Sequence, residues 1–240
     1  MFLADVDEDG LDETVRLVEA RGGQATARRC DVASEADMEA LAAAAFEALG
    51  SVDLVINNAG VGVGGPVGEI PLKDWAWIID INLRGVVHGC HFFLPAMRRR
   101  GAGHILNVAS IAAFACGPMM APYNATKAAV VALSETLAAE LEGTGVGCTV
   151  LCPYFFRTNI AASSRNSSEQ VSTEFIHKLM DRNRVQAEDV ARLALKGCDQ
   201  GELYVFPHIE AKVIQTLKRA IPSTYHGRLT SSVMRRFARR

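Results

Sequence analysis

Tyr123 and Lys127 lie four residues apart in the segment YNATK, near the start of a helix predicted from about Pro122 to Glu142. Residues with this spacing face the same side of a helix, one turn from each other. A phenol is a poor base near neutral pH, because its ordinary pKa is about 10, but a neighbouring ammonium favours phenolate and lowers that pKa. We therefore expect Tyr123 to exchange a proton with an alcohol oxygen, with Lys127 lowering the tyrosine pKa.

Ser110 ends the segment HILNVAS, which the apolar pattern predicts to be a strand. Ligands of open α/β sheets bind at the carboxyl ends of parallel strands, so the Ser110 hydroxyl could hold a substrate carbonyl beside Tyr123. The same hydroxyl could instead bond to backbone at the strand end. A YxxxK pair alone is weak evidence, because short motifs recur by chance. The chemistry therefore depends on the elements that would bring these residues together.

Short apolar runs alternate with helical patterns along the chain. The predicted strands are FLADV, TARRC, VDLVI, HILNVAS, VGCTVLCP and ELYVF near 202–206; the predicted helices begin near Leu11 and Ser34 and span Trp75 to Arg100 and Pro122 to Glu142. This rhythm is typical of βαβ units and predicts a Rossmann-type α/β fold, a doubly wound parallel sheet in three layers. Ser34 and Asp37 form a predicted helix cap. We expect one domain over residues 1–208 and a basic tail over 209–240.

The composition and net charge of the chain exclude several classes of function. The chain has 240 residues and a net charge of −2, which predicts no overall attraction to nucleic acid or to an anionic membrane. The six cysteines are scattered, without a metal-ligand or disulfide spacing, so we expect free thiols and no metal site. No secretory leader pattern precedes the first acidic residue. These features predict a cytoplasmic protein.

Several ordered motifs give the sequence a resemblance to the short-chain dehydrogenase/reductase family. NNAG at 57–60 follows the strand VDLVI, INLRG contains Asn82, and Ser110 lies thirteen residues before Tyr123. The resemblance extends from Met1 to about Phe206. It implies a nicotinamide-dependent oxidoreductase that interconverts an alcohol and a ketone or aldehyde by hydride transfer.

The resemblance also implies individual roles. Tyr123 would be the general acid/base, Lys127 would lower its pKa and bind the nicotinamide ribose, Ser110 would orient the reacting carbonyl, and Asn82 would support a water relay. The implied cofactor contacts are Asp5, Asp31, Val32, Asn58, Ala59, Gly60, Tyr123, Lys127, Pro153 and Thr158. Individually, Ser110, Asn82 and Asp31 could be structural. The chain departs from the family where Tyr154 follows Pro153 in place of glycine, which puts the fine placement of the nicotinamide in doubt.

The beginning of the sequence departs from the family more strongly. The family's first strand runs into a glycine-rich turn, TGxxxGxG, whose helix N-terminus binds the pyrophosphate, and this motif does not occur in the 240 residues. We identify MFLADVD as the family's second strand and GVGVGGPVG at 60–68 as an active-site loop. In the strand order 3-2-1-4-5-6-7, loss of strand 1 would leave two edges bare. We therefore expect the sequence to be part of a longer functional protein.

Asp5 ends this second strand and bears on the cofactor. An acid there can accept both ribose hydroxyls of the adenosine half and repels a 2′-phosphate. Val6 follows it, with no adjacent Arg or Lys to bind a phosphate. The sequence therefore predicts NAD in preference to NADP.

Apolar side chains near the expected substrate entrance predict a bulky apolar secondary alcohol or ketone. They are Phe114, Met119, Met120, Tyr154, Phe155, Phe156, Phe175 and Ile176; the last two lie beside a polar loop at 161–174. In the basic tail, Leu229, Val233 and Phe237 form an amphipathic stripe. That stripe could contact an anionic membrane or dock on protein.

By resemblance the two long helices would form a homodimer or homotetramer. The alternative to an enzyme is a protein of another functional class. It is a non-catalytic binding or scaffolding protein that has lost dinucleotide binding.

Overall fold

Short parallel strands alternate with helices along the chain, as the sequence pattern predicts. The computed structural model describes residues 1–166, 180–181, 183–222 and 225. Its strands are β1 (Phe2–Asp5), β2 (Thr26–Arg29), β3 (Leu54–Asn57), β4 (Val63–Gly64), β5 (Gly103–Val108), β6 (Val146–Leu151), β7 (Arg165–Asn166) and β8 (Tyr204–Val205). Its helices are α1 (Glu8–Glu19), α2 (Glu35–Leu49), α3 (Leu72–Ile79), α4 (Gly85–Arg100), α5 (Ala112–Ala115), α6 (Ala121–Glu140), α7 (Ala187–Asp199) and α8 (Ile209–Ala220).

The strands of the described residues form three parallel sheets. β3, β5, β6 and β8 form a four-stranded sheet in that order, β1 pairs with β2, and β4 pairs with β7. Successive strand residues face opposite sides of a sheet. Ile105 and Val150 pack in the large cluster that includes α4 and α6, whereas Leu106 and Leu151 pack with Val190 of α7. Helices therefore cover both faces, and the predicted Rossmann-type α/β fold is confirmed.

Within the described part of the chain, β1 and β3 each pair along one edge. β1 bonds to β2 and β3 bonds to β5, and no ladder joins β1 to β3. These are the two edges at which the predicted strand order is interrupted. Ile56 of β3 is 48% exposed, although an apolar residue in the middle of a doubly wound sheet is normally covered.

The first two helices begin at side-chain caps. α1 begins at Glu8 instead of near Leu11, because the Asp7 carboxylate accepts the backbone N–H of Gly10 and starts the helix three residues earlier. The predicted cap of α2 is confirmed: the Ser34 hydroxyl accepts the Asp37 N–H at 3.2 Å.

The predicted single helix over 75–100 is wrong in two respects. It begins at Leu72, and a π-helical turn, Asp80–Arg84, separates α3 from α4. Such turns are single wide turns inside otherwise regular helices and are frequent at functional sites. The periodicity of apolar residues carries no sign of so short an irregularity.

The C-terminal region is attached to the main domain where the structure describes it. Ala211 of α8 is fully buried, and the Lys218 ammonium lies 3.1 Å from the Cys116 sulfur at the end of α5. The division at residue 208 stays a prediction. The tail stripe and the candidates Phe175 and Ile176 lie outside the described residues. None of the helices in the described ranges has both the length and the apolar character needed to cross a membrane.

Candidate active site

Helix α6 presents Tyr123 and Lys127 on one face. Pro122 occupies its first turn, where its missing N–H costs no hydrogen bond, so the helix can begin immediately before Tyr123. The Lys127 nitrogen lies 5.8 Å from the centre of the Tyr123 ring. The spacing argument from the sequence therefore holds.

Lys127 is buried, and the structure gives it a backbone partner. Its ammonium donates to the carbonyl oxygen of Val108, the last residue of β5, at 2.8 Å. Burial lowers the pKa of Lys127 to about 8, and the Cys152 thiol group opposes this shift. Lys127 thus links α6 to the carboxyl end of β5, next to Ser110.

Ser110 lies two residues beyond β5 and meets Tyr123. Its hydroxyl accepts the N–H of Ala112 at 3.1 Å, so the expected alternative, a bond to backbone, is present. The Ser110 hydroxyl also lies close enough to the Tyr123 side chain to lower the pKa of the tyrosine. Its predicted part in holding a substrate carbonyl stays a prediction.

The predicted effect of Lys127 on the pKa of Tyr123 is wrong for this arrangement. Burial raises the pKa of Tyr123 above its ordinary value of 10.0, and the hydrogen bond with Ser110 opposes this rise. Lys127 is not among the causes of this shift, and its ammonium donates to the Val108 carbonyl. The phenol form of Tyr123 is therefore favoured at neutral pH.

Asn82 lies in the π-helical turn and is completely buried. Its side-chain oxygen accepts the N–H of Val61 at 2.8 Å, and its side-chain nitrogen donates to the Val61 carbonyl at 2.9 Å. A further, longer contact of 3.4 Å reaches the Thr126 hydroxyl on α6. Asn82 therefore fixes the loop after β3 against α6, and its predicted part in a water relay stays a prediction.

Gly60 lies where Asn82 and Lys127 converge. A Cβ atom at this position would lie 3.3 Å from the Lys127 nitrogen and 3.5 Å from the Asn82 side-chain oxygen. The absence of a side chain leaves room there for the loop or for a ligand. Asn58 and Ala59, the two residues before Gly60, are exposed at the carboxyl end of β3.

The loop at 60–68 continues past Asn82 toward the segment before α6. Val63 and Gly64 pair with Arg165 and Asn166, and the N–H of Gly65 donates to the carbonyl of Met119 at 2.8 Å. The loop therefore borders the same end of the sheet as Ser110, in keeping with its interpretation as an active-site loop.

The predicted adenosine contacts already have intramolecular partners. One oxygen of the exposed Asp5 carboxylate accepts the N–H groups of Val6 and Asp7 at 2.7 and 3.1 Å. The Asp31 carboxylate accepts the N–H of Ala33 at 2.9 Å. These bonds organise the turns after β1 and β2, and whether the carboxylates also contact a cofactor stays a prediction.

The predicted nicotinamide contacts follow β6. The Pro153 carbonyl accepts the N–H of Ile111 at 2.9 Å, which ties this segment to the turn of Ser110. Thr158 caps the 3-10 turn Asn159–Ala161, its hydroxyl 3.4 Å from the N–H of Ile160. Tyr154 does not have a positive φ, so the residue that replaces the family's glycine is accommodated without backbone strain.

Two of the predicted substrate-contacting rings are partly buried and pack against core clusters, and their contact with a substrate stays a prediction. Phe114 packs against Phe206 at 5.9 Å between ring centres, and Phe156 packs in the apolar cluster of α7. The other described candidates, Met119, Met120, Tyr154 and Phe155, stay predictions.

Sequence reasoning missed a polar network beneath the site. The Asn57 amide donates to the Asn107 side-chain oxygen at 2.8 Å, and the Asn107 amide donates to the Ser134 hydroxyl at 3.0 Å. Asn107 and Ser134 are fully buried and join β3, β5 and α6. Asn107 inside one predicted strand and Asn57 immediately after another were the available signal, since buried amides require partners.

His88 was also missed. Its Nδ1 lies 2.8 Å from the carbonyl oxygen of Val32, so α4 holds the segment that carries Asp31 and Val32. This contact fixes the backbone of Val32, which is a predicted cofactor contact. A histidine inside an apolar helix gives no sequence sign of such a partner.

The described part of the chain contains residues that could hold the two ends of a dinucleotide. At the nicotinamide end, the opening at Gly60 lies beside the Lys127 ammonium, a natural donor to ribose hydroxyls. At the adenosine end, Asp5 and Val32 lie at the ends of adjacent parallel strands. The TGxxxGxG turn for the pyrophosphate does not occur in the 240 residues.

Comparison with known proteins identifies a matching family model and several similar proteins. The family model for the short chain dehydrogenases matches residues 1–169. The 1-deoxy-11-beta-hydroxypentalenate dehydrogenase of Streptomyces exfoliatus is 35% identical over 219 residues, which cover 89% of this chain and 75% of that protein.

Two solved structures with bound cofactors are also similar. A short-chain dehydrogenase/reductase from Burkholderia phymatum in complex with NAD has 37% sequence identity and a TM-score of 0.84, covering 91% of this chain and 83% of that one. A gluconate 5-dehydrogenase from Burkholderia cenocepacia in complex with NADP and tartrate has 25% identity and a TM-score of 0.72, covering 85% and 82%. From the motifs, the fold and these matches together, the chain belongs to the short-chain dehydrogenase/reductase family of oxidoreductases.

Proposed function

We propose that the protein interconverts an alcohol and a ketone or aldehyde by NAD(H)-dependent hydride transfer. The observation that carries the proposal is the placement of the Ser110 hydroxyl and the buried Lys127 ammonium beside the Tyr123 phenol. A phenol held by a hydroxyl, with an ammonium one turn below, is suited to proton exchange with an alcohol oxygen. A bound nicotinamide would supply the hydride donor or acceptor.

Each side chain has a separate task in this proposal. In reduction Tyr123 donates its proton to the carbonyl oxygen, and in oxidation its phenolate accepts the proton of the alcohol. Ser110 donates a hydrogen bond to the same oxygen and so orients the reacting carbon. Lys127 contributes positive charge beneath the ring and a donor for ribose hydroxyls, and Asn82 fixes the loop that closes this side of the site.

The preferred cofactor is NAD. Asp5 lies at the carboxyl end of β1 and is exposed, so its charge is available to a ribose and is unfavourable for a 2′-phosphate. The proposed cofactor contacts remain Asp5, Asp31, Val32, Asn58, Ala59, Gly60, Tyr123, Lys127, Pro153 and Thr158. Both cofactors occur among the similar structures, so Asp5 carries this preference.

The finer properties are part of the same proposal. The substrate is a bulky, apolar secondary alcohol or ketone, the protein acts in the cytoplasm, and α4 and α6 form the surfaces of a homodimer or homotetramer. A contact of the basic tail with an anionic membrane belongs here too, with docking on protein as its competitor.

One observation favours a second candidate function. The carboxylates of Asp5 and Asp31, the proposed adenosine contacts, already accept backbone N–H groups of this chain and so have partners without a dinucleotide. A non-catalytic binding protein of the same fold would show this property.

Titration of the unsubstituted chain with NADH, followed by nicotinamide fluorescence, separates the two candidates. We expect saturable binding, and turnover of NAD with a panel of secondary alcohols. Tyr123→Phe should keep NADH binding and lose at least 100-fold in turnover, the usual scale of a general acid/base. Tyr204→Phe, which removes a hydroxyl that donates to Glu135 and belongs to no proposed site residue, is the matched control. Full turnover by Tyr123→Phe, or no NADH binding by the unsubstituted chain, would refute the proposal.

A further inference from the structure

His208 is a buried titratable side chain for which the proposed chemistry has no role. It is 1% exposed and lies immediately before α8. Its ring stands between two other segments, the one that follows β6 and the one that leads into α7. The first of these segments carries Pro153 and Thr158, the proposed nicotinamide contacts.

Both ring nitrogens of His208 are used to hold backbone groups. The N–H of Tyr154 donates to Nδ1 at 3.2 Å, so Nδ1 carries no hydrogen. The hydrogen is therefore on Nε2, which donates to the Val185 carbonyl at 3.3 Å. Burial lowers the pKa of His208, which agrees with a neutral ring in this position.

The ring also packs against the same segment. Its centre lies 6.3 Å from that of Tyr154 and 6.1 Å from that of Phe156. The neighbouring Pro153 carbonyl binds the N–H of Ile111, the residue after Ser110. A displacement of His208 would thus reach both the nicotinamide contacts and the Ser110 turn through one backbone segment.

An apolar side chain could fill the space of the His208 ring but could not form its two hydrogen bonds. It would leave the Tyr154 N–H and the Val185 carbonyl without their partners, and unpaired buried backbone groups are costly. The tyrosine that replaces the family's glycine after Pro153 is fixed through its backbone by this histidine. His208 is therefore placed to set the position of the segment, beyond filling a cavity.

We propose that His208 is a positioning residue that holds the segment Pro153–Thr158 at the nicotinamide end of the cofactor site. The proposal rests on the proposed function, because it assigns His208 an effect on NADH affinity. His208 contacts no reacting atom in it and acts through Tyr154.

Two substitutions separate the two hydrogen bonds. His208→Asn places an amide oxygen near the position of Nδ1 and can still accept the Tyr154 N–H. His208→Gln reaches the position of Nε2 and can keep the bond to Val185 but not the one to Tyr154. We expect His208→Gln to raise the NADH dissociation constant about tenfold, as the loss of one positioning bond would, and His208→Asn to leave it within about twofold.

His104 provides the matched control. It is also partly buried, its pKa is also lowered by burial, and its Nε2 lies 2.8 Å from the Thr149 hydroxyl, but it belongs to the opposite end of β5 from Ser110. His104→Asn should leave NADH affinity within about twofold. Unfolding midpoints of all the variants show whether each one is folded at the temperature of the titration.

A nuclear magnetic resonance measurement tests the geometry without any variant. In the ¹⁵N-histidine-labelled chain, His208 should be the Nε2–H tautomer, and an Nδ1–H tautomer would overturn the proposal. Equal NADH affinity of His208→Gln, His208→Asn and the unsubstituted chain would remove this inference alone. Failure of the unsubstituted chain to bind NADH would remove the proposed function, and the inference with it.

Discussion

The Lys127 ammonium donates a hydrogen bond to the carbonyl oxygen of Val108 at 2.8 Å, and the same nitrogen lies 5.8 Å from the centre of the Tyr123 ring. Lys127 is thus fixed to the carboxyl end of β5. The positive charge that the proposed chemistry requires is therefore buried. The burial of this charge and its distance from the phenol have separate, measurable consequences.

Replacing Lys127 by methionine should abolish turnover and yet stabilise the fold. Below pH 8 the lysine is charged in both the folded and the unfolded chain, so the folded chain bears the full cost of burying the charge. Methionine removes that cost but also the bond to Val108, and we expect a net gain of about 1–2 kcal/mol in the free energy of unfolding at pH 7. Urea unfolding measures it.

The same comparison has a defined pH dependence. Between about 8 and the ordinary value of 10.5, the folded chain releases the Lys127 proton while the unfolded chain keeps it. The unfolded state then binds more protons, so the free energy of unfolding contributed by this residue rises with pH. The gain in free energy of unfolding that Lys127→Met brings should therefore shrink from pH 7 to pH 10. A gain that stays constant or grows over this range would contradict the burial of a charged Lys127.

The pH profile of the reaction should follow the raised pKa of Tyr123. Alcohol oxidation needs the phenolate as base, and burial raises the pKa of Tyr123 in the free protein, so kcat/KM for oxidation should rise with pH until Lys127, whose pKa is about 8, loses its positive charge. Carbonyl reduction needs the phenol and should be flat from pH 6 to 8. Ser110→Ala removes the hydrogen bond that opposes the rise, so it should shift the oxidation profile to higher pH. An oxidation plateau below pH 8 would show that the tyrosine is tuned in another way.

Asn82 should matter for stability as well as for activity. Asn82→Ala leaves the N–H and the carbonyl of Val61 without their partners, and we expect a loss of about 2–3 kcal/mol in the free energy of unfolding together with reduced turnover. Asn58→Ala, at an exposed position nearby, is the stability control and should stay within about 0.5 kcal/mol. Equal effects of the two substitutions would refute the structural role of Asn82.

Asp5 should decide between the two nicotinamide cofactors. Asp5→Ser removes the charge that repels a 2′-phosphate but keeps a side-chain oxygen that can accept the N–H groups of Val6 and Asp7. We expect the ratio of NADPH to NADH affinity to rise at least about tenfold. Asp7→Ser removes an equal charge two residues away and keeps a helix cap, so it should leave the ratio unchanged. An equal rise in both variants would mean that net charge, and not the position of Asp5, sets the preference.

Much of the fold could be predicted because its signals are local. Alternating apolar runs and helices predicted the parallel sheet, and the Ser34 cap was predicted because a hydroxyl three residues before a carboxylate needs no distant partner. The π-helical turn at Asp80–Arg84 escaped prediction because it changes the register of one turn only. Asp7, which begins α1 early, was overlooked as a cap in a segment with several acids.

The sequence by itself determined which side chains can take part in proton exchange and that Tyr123 and Lys127 share a helix face, since helical spacing follows from backbone geometry alone. Only the tertiary structure decided what surrounds them. It turned Lys127 to the Val108 carbonyl, brought Asn82 and Lys127 together at Gly60, and set His208 beneath Tyr154. It also reversed the expected pKa shift of Tyr123, because desolvation depends on every group packed around a side chain, and that packing is created by residues distant in sequence.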